Sequence, residues 1–298
     1  MLNFMRFDLK KMFKSPAFYI GFIFIFALGI FGTHVSQQSG YGQPYELYRE
    51  TQEKRQAENE EKQARERSDD QAGLEISPAP SPTLDEETYQ ALQEEHYANY
   101  KLDRACWGFM VNMTKYSWVF FALFLGLDFF SGYLKNLLPL EKARQSWLFS
   151  KLGLALTYGL ISLWLGLVFG TLTTFMSGQD FTGLDFISLA KHFVLIECLL
   201  VFIMALTSTI ILLSQSRTVS VVFAILISLG LLASLLGALS NLVDLSLGEW
   251  IYSIRYQSLD FKETEPILPL LCLAFSQILL VSAFNNYRIQ KMDFHFGY

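Results

Sequence analysis

Six stretches of this chain, roughly 17–34, 110–133, 150–176, 192–214, 219–243 and 267–285, are each long and apolar enough to cross a bilayer. A hydrocarbon core about 30 Å thick takes about 20 residues at the helical rise. Lipid offers the backbone no hydrogen-bond partners, so each stretch must satisfy its own N–H and C=O groups as a helix. Unbroken apolar runs also exclude a barrel, whose strands alternate. The expected fold is an all-α membrane protein with six transmembrane helices. Composition agrees, since 52% of the 298 residues are hydrophobic and only 17% are charged, more apolar than a soluble core requires. The first stretch, from about Ala17, is not followed by a small-residue A-x-A pattern and reads as a retained anchor. Cys106, Cys198 and Cys272 lie in or beside apolar runs at no metal-ligand spacing. They are expected to pack as small hydrophobes without a disulfide framework.

Charge gives the orientation. Residues 35–105 hold 16 acids against 8 bases, so the net charge of −5 conceals a basic remainder. Arg6, Lys10, Lys11 and Lys14 precede the first span, four bases follow the second, Arg217 follows the fourth, and Arg288 and Lys291 follow the sixth. The alternate loops, 177–191 and 244–266, are dominated by Asp180, Asp185, Asp244, Glu249, Asp260, Glu263 and Glu265. Cytoplasmic loops are enriched in Lys and Arg, so both termini are expected in the cytoplasm.

Residues 1–34 form a first unit. Leu2, Met5, Leu9, Met12 and Phe13 share one helical face and Arg6, Lys10 and Lys14 the other, the pattern of an amphipathic helix lying in the membrane plane. Ser15 and Pro16 would end it before the first span. Residues 35–108 form an external insertion, too long to be a mere connector. Glu50/Lys54, Glu58/Lys62 and Glu61/Arg65 are acid-before-base pairs at helical spacing. A breaker, "SDDQAGLEISPAPSP", then precedes Thr83 and Glu86 in capping-box spacing and apolar positions at Tyr89, Leu92 and Tyr100. An extracellular helical hairpin between the first two spans is expected, either as a lid or substrate-capture element or as a tolerated polar insertion. Residues 109–298 hold spans two to six and a short cytoplasmic tail.

Catalytic sets are absent: no G-x-x-x-x-G-K-[ST], H-E-x-x-H, G-x-S-x-G or C-x-x-C occurs, and His34, His96, His192 and His295 are scattered. The chain reads as a non-catalytic subunit that binds no metal or cofactor and no nucleic acid. Intramembrane charge is the stronger lead, because an ionisable group in lipid is costly and is paired or functional. Asp128, at the inner end of the second span, is either a helix-end acid paired with Lys135 or a neighbouring helix, or a gating residue. Glu197, in the outer part of the fourth span, either contacts substrate or a coupling proton, or makes a structural hydrogen bond. Gly153, Gly159, Gly166 and Gly170 recur along the third span and would allow close helix approach. The triplet Asn112–Thr114 matches a glycosylation acceptor but abuts the membrane, so no sugar is assigned.

The order of these features resembles an ABC-2-type permease, the membrane subunit of an ABC exporter. Asp128, Gly132, Lys135, Asn136 and Leu137 in "DFFSGYLKNLL" resemble the pattern of the bacterial branch that includes lantibiotic-immunity and bacitracin-resistance permeases. That branch commonly has Glu and a Gly-Thr pair where this chain has Asp128 and Gly132-Tyr133. Lys291 and Asp293 in the tail match its basic-then-acid ending. The resemblance implies a coupling helix at about 134–148, docked in a cleft of a cytoplasmic ATPase subunit through Lys135, Asn136, Leu137, Glu141, Lys142 and Arg144. It also implies a second permease subunit, identical or related, with ATP and Mg bound only by the partner ATPase. Outward transport of a hydrophobic or amphipathic cargo, such as a peptide antibiotic, across a bacterial plasma membrane would follow. The alternative reading is a membrane sensor or scaffold that binds an external ligand through the hairpin and transports nothing.

Overall fold

A computed structural model describes residues 2–37, 40–68, 84–130, 141–243, 247–257, 259, 261 and 266–291. All regular structure among them is helical. The helices are α1 (Leu2–Lys14), α2 (Pro16–Gln37), α3 (Tyr45–Ser68), α4 (Glu86–Ala98), α5 (Leu102–Phe130), α6 (Glu141–Met176), α7 (Phe186–Ser214), α8 (Arg217–Ser228), α9 (Leu231–Val243), α10 (Tyr252–Gln257) and α11 (Ile267–Lys291). Five of these, α2, α5, α6, α7 and α11, are long and apolar enough to cross a membrane. The fifth expected span, 219–243, is not one straight helix. It is the pair α8 and α9, bent by 63°, with Gly230 at φ +79 in the break, a conformation that glycine adopts without strain.

The helices alternate in direction, and side-chain contacts identify two ends. At one end, Arg144 Nη1 of α6 donates to the carbonyls of Ile289 (3.2 Å) and Gln290 (2.9 Å) at the end of α11, and the Arg217 side chain at the start of α8 lies against Gly126 of α5. At the other, Thr174 Oγ1 near the end of α6 donates to Tyr100 O just before α5 (3.0 Å), and the Asp185 N–H before α7 donates to Asp103 of α5 (2.8 Å). The first end carries Arg6, Lys10, Lys11, Lys14, Arg144, Arg217, Arg288 and Lys291. We call it the basic end and the other the acidic end. α1 and the end of α11 both lie at the basic end.

α5 and α7 form the centre and are mostly buried, whereas α2 and α11 are mostly exposed. Their outward faces, including Ile20, Ile23, Phe24 and Phe31 on α2 and Leu268, Leu279 and Leu280 on α11, are exposed, as lipid-facing surfaces are. Small residues bring helices together where the sequence spacing placed them. A Cβ on Gly166 would come within 3.2 Å of Cys106 O, and one on Gly170 within 2.5 Å of Leu102 O, so α6 and α5 touch backbone to backbone. Trp118 and Trp147 are buried, while Trp164 and Trp250 are exposed. All three cysteines are unpaired; Cys106 and Cys198 are buried and Cys272 is exposed.

Beyond α2, α4 docks on the segment preceding α3. Tyr89 is fully buried among Tyr41, Tyr45 and Tyr48. Its hydroxyl donates to Gln43 O (2.9 Å), as Tyr97 does to Gly42 O (2.9 Å). The cap of α4 is Asp85, whose carboxylate accepts from Thr88 N, and not Thr83, which lies outside the described residues. Among the described side chains of α3 the helical ion pair is Arg49–Glu53 at 2.8 Å, not Glu50/Lys54; Glu58/Lys62 and Glu61/Arg65 involve side chains outside the described ones.

Asp185 caps α7, accepting from Ser188 N (2.9 Å) and Ser188 Oγ (2.6 Å). These bonds hold its carboxyl below the ordinary value of 3.8. A depressed folded value contributes stability that is present above the unfolded value and lost as pH falls through the folded one. Asp185→Asn keeps an acceptor but does not titrate. Its thermal midpoint in detergent micelles is therefore expected to fall less steeply than that of the wild type below about pH 4. Parallel curves would remove Asp185 from the acid response.

Candidate functional site

Four charges meet at the basic end, three of them buried and the fourth, Lys11, partly so. Lys151 on α6 is fully buried and lies 2.5 Å from Asp8 Oδ1 of α1 and 2.6 Å from Asp128 Oδ2 of α5. The other oxygen of Asp128 pairs with Lys11 of α1. Trp147 Nε1 donates to Asp128 Oδ2 (3.0 Å) and Ser150 Oγ to Asp8 Oδ2 (2.7 Å). Lys11 also donates to Phe124 O at 3.3 Å. The Phe124 ring lies beneath both ammonium groups, 4.5 Å from Lys11 Nζ and 5.0 Å from Lys151 Nζ, a cation–π arrangement.

Two carboxylates and two ammonium groups balance. Every carboxylate oxygen has a donor, which buried charge requires if it is to remain ionised. Helical spacing explains how each element contributes. In α1, Met5, Asp8, Leu9 and Met12 recur at three and four residues, so the buried face that carries Met12 also carries Asp8. In α6, Trp147, Ser150 and Lys151 do the same. The arrangement clamps α1 to the end of α5 and the start of α6, the two helices that flank residues 131–140.

The expected site residues divide accordingly. Asp128 is paired with neighbouring helices through Lys11 and Lys151. Lys135, Asn136 and Leu137 lie outside the described residues. Glu141 and Lys142 open α6, and from Glu141 onward the chain runs unbroken into the long apolar helix. The expected coupling segment 134–148 therefore includes the first turns of that helix. Arg144 is engaged with the last carbonyls of α11, a favourable place for a cation.

Glu197 on α7 stands apart from the network. Among the described residues its two carboxylate oxygens are buried without a hydrogen-bond partner, as is the hydroxyl of Tyr158. It faces Gly159 of α6, where a Cβ would collide with the carboxylate. Of its two expected roles, the structural hydrogen bond is absent among the described residues.

A second polar cluster sits at the acidic end. His192, buried on α7, lies between Tyr256 Oη (3.3 Å) and Phe261 O (3.1 Å). Tyr256 Oη in turn accepts from Trp107 Nε1 (3.2 Å), and Tyr252 Oη donates to Leu195 O (2.6 Å). Burial pushes both phenols well above their ordinary value of 10.0. The cluster ties the segment before α11 to α5 and α7. No group of three or more His, Cys, Asp or Glu side chains among the described residues could hold a metal ion.

Sequence reasoning singled out Asp128 and counted Lys151 only as one of the four bases after the second span, but missed Asp8. The available signal was an acid within the apolar stripe of α1. No family model, no curated protein and no solved structure matches this chain.

Proposed function

We propose that this chain is the membrane-spanning permease subunit of an ABC exporter. In this reading the basic end faces the cytoplasm of a bacterium, consistent with the excess of Lys and Arg there. Residues 134–148 dock on a separate ATPase subunit that binds ATP and Mg, and two permease subunits enclose the pathway. The amphipathic α1 lies along the cytoplasmic membrane surface, and α3 and α4 form an external hairpin that receives or releases cargo. A hydrophobic or amphipathic molecule, such as a peptide, is moved outward.

One observation carries this reading. The four-charge network joins α1 to both helices flanking the 131–140 connection, so a displacement applied to that connection would move α1, α5 and α6 together. Coupling of this kind needs packed elements with two discrete arrangements that nucleotide can bias. The bend between α8 and α9, beside α5, offers one element whose geometry could differ between states.

The test is ATP hydrolysis in lipid nanodiscs by the chain together with the P-loop ATPase retained under mild extraction. Exchanging Glu141→Lys with Lys142→Glu preserves net charge and avoids Arg144, which caps α11. The exchange is expected to reduce hydrolysis about tenfold or more while leaving the thermal midpoint unchanged. If no ATPase is retained, the permease reading fails and the sensor or scaffold reading takes its place.

A further inference from the structure

α5 carries charge on a face that the fold leaves open. Arg104, Gly108, Asn112 and Lys115 follow one another at helical spacing and form one stripe along the half of α5 nearest the acidic end. Asn112 is exposed, and its amide donates to Gly108 O one turn back (3.0 Å). Lys115 is also exposed, and it has no hydrogen-bond or ion-pair partner among the described residues. The span runs from Leu102 to Asp128. Lys115 stands midway, about 20 Å from either end at the helical rise.

An ammonium group at that depth is costly against hydrocarbon, so such residues face a cavity, a partner or a polar path. The face is open because α8, which runs beside α5, has only twelve residues. It starts level with Gly126, rises about 18 Å and reaches the 63° bend near the level of Lys115. α9 then turns off that line.

Three members of the stripe, Arg104, Gly108 and Asn112, line a cavity of about 310 Å³ together with Gly29 and Thr33 of α2 and Phe169 of α6, and Lys115 follows less than one turn beyond Asn112. This volume is at the lower end of small-ligand pockets, about 300–1,000 Å³. Among the described residues neither Arg104 nor Lys115 has an ion-pair partner. Asp103 is 4% exposed and turned inward, its carboxylate accepting from the Arg104 and Asp185 N–H groups. α2, α8 and α9 contain no Asp or Glu.

We propose that this groove binds the phosphate-bearing head group of an anionic lipid drawn from the leaflet at the acidic end. Asn112 and Lys115 hold the phosphate, while Arg104, about 16 Å further along the helix from Lys115 and bonded to Asn99 Oδ1 (3.1 Å), adds positive charge at the mouth that draws the anion in. A lysine stem on this helix leans toward its N-terminus, so the Lys115 ammonium rises toward Asn112. The acyl chains stay in the bilayer against the exposed apolar side chains of α2. A membrane lipid fits better than a soluble anion, because Asn112 and Lys115 lie well inside the membrane-spanning helix Leu102–Asp128. Two copies of this chain facing each other here would instead oppose like charges. The site does not depend on an ATPase partner and goes beyond the transport reading.

The test is lipid retention by the full chain, measured by native mass spectrometry after reconstitution with equal phosphatidylglycerol and phosphatidylcholine. The wild type is expected to retain phosphatidylglycerol in preference by about tenfold, with Lys115→Gln removing most of that preference and Arg104→Gln a smaller part of it. Lys115→Arg should restore it. The thermal midpoint of Lys115→Gln should equal or exceed that of the wild type. Equal retention of the two lipids by the wild type would overturn the proposal, as would unchanged preference in both glutamine variants. Displacement of the lipid by inorganic phosphate would show a free-anion site and also overturn it.

Discussion

Lys151→Met is expected to destabilise the protein by about 3–5 kcal/mol, because it removes one partner from a buried ion network and strands the others. Lys151 is fully buried and bridges Asp8 and Asp128, so the variant leaves two carboxylates sharing Lys11 alone. Methionine matches the volume of the stem, so the loss reports charge and hydrogen bonding more than a cavity. The readout is thermal unfolding in detergent micelles, with the exposed Lys10→Met as reference. Adding Asp8→Asn restores electrical balance, leaving Asp128 with Lys11. The double variant is therefore expected to lose less than the sum of the two single changes, with a coupling of about 1 kcal/mol or more. Additive losses, or a midpoint for Lys151→Met equal to that of Lys10→Met, would mean that the four charges do not act as a unit.

Gly170→Ala is the second large effect, expected to cost about 1–3 kcal/mol through overpacking. Its Cβ would stand 2.5 Å from the carbonyl oxygen of Leu102. That atom belongs to the first turn of α5 and cannot swing aside as a side chain can. Relief requires α5 and α6 to separate at the acidic end, where Thr174 is bonded to Tyr100 O. Gly159→Ala is expected to cost less, since the group it meets is the tip of the Glu197 side chain. Gly237→Ala is the control: nothing lies within 4 Å of its Cβ position, and alanine is the better helix former by about 1 kcal/mol. Thermal midpoints ordered Gly237→Ala above Gly159→Ala above Gly170→Ala would bear this out. A Gly170→Ala midpoint at the wild-type value would show that α5 and α6 are not held in backbone contact.

How much was legible depends on the range of the force involved. The apolar helices were readable because membrane-spanning backbone must bond within its own segment, so about 20 consecutive residues carry the whole signal. The bend in the fifth was not read, although Gly230 marked it, because periodicity in a uniformly apolar run does not distinguish one helix from two. Glu197 was singled out by its cost in lipid, but that it has no hydrogen-bond partner among the described residues became visible only with Gly159 placed opposite it. His192 was set aside as scattered, since Tyr256 and Phe261 lie more than sixty positions away in the chain.

The sequence by itself determined an all-helical protein with apolar spans and a basic end, through local backbone satisfaction and the bias of charge. Only the tertiary structure decided that Asp8, Lys11, Asp128 and Lys151 share one site and that Lys115 faces away from the bundle. A buried charge is held by whichever opposite charge the packing of three helices brings within a few ångströms, and linear spacing within each helix does not specify that neighbour.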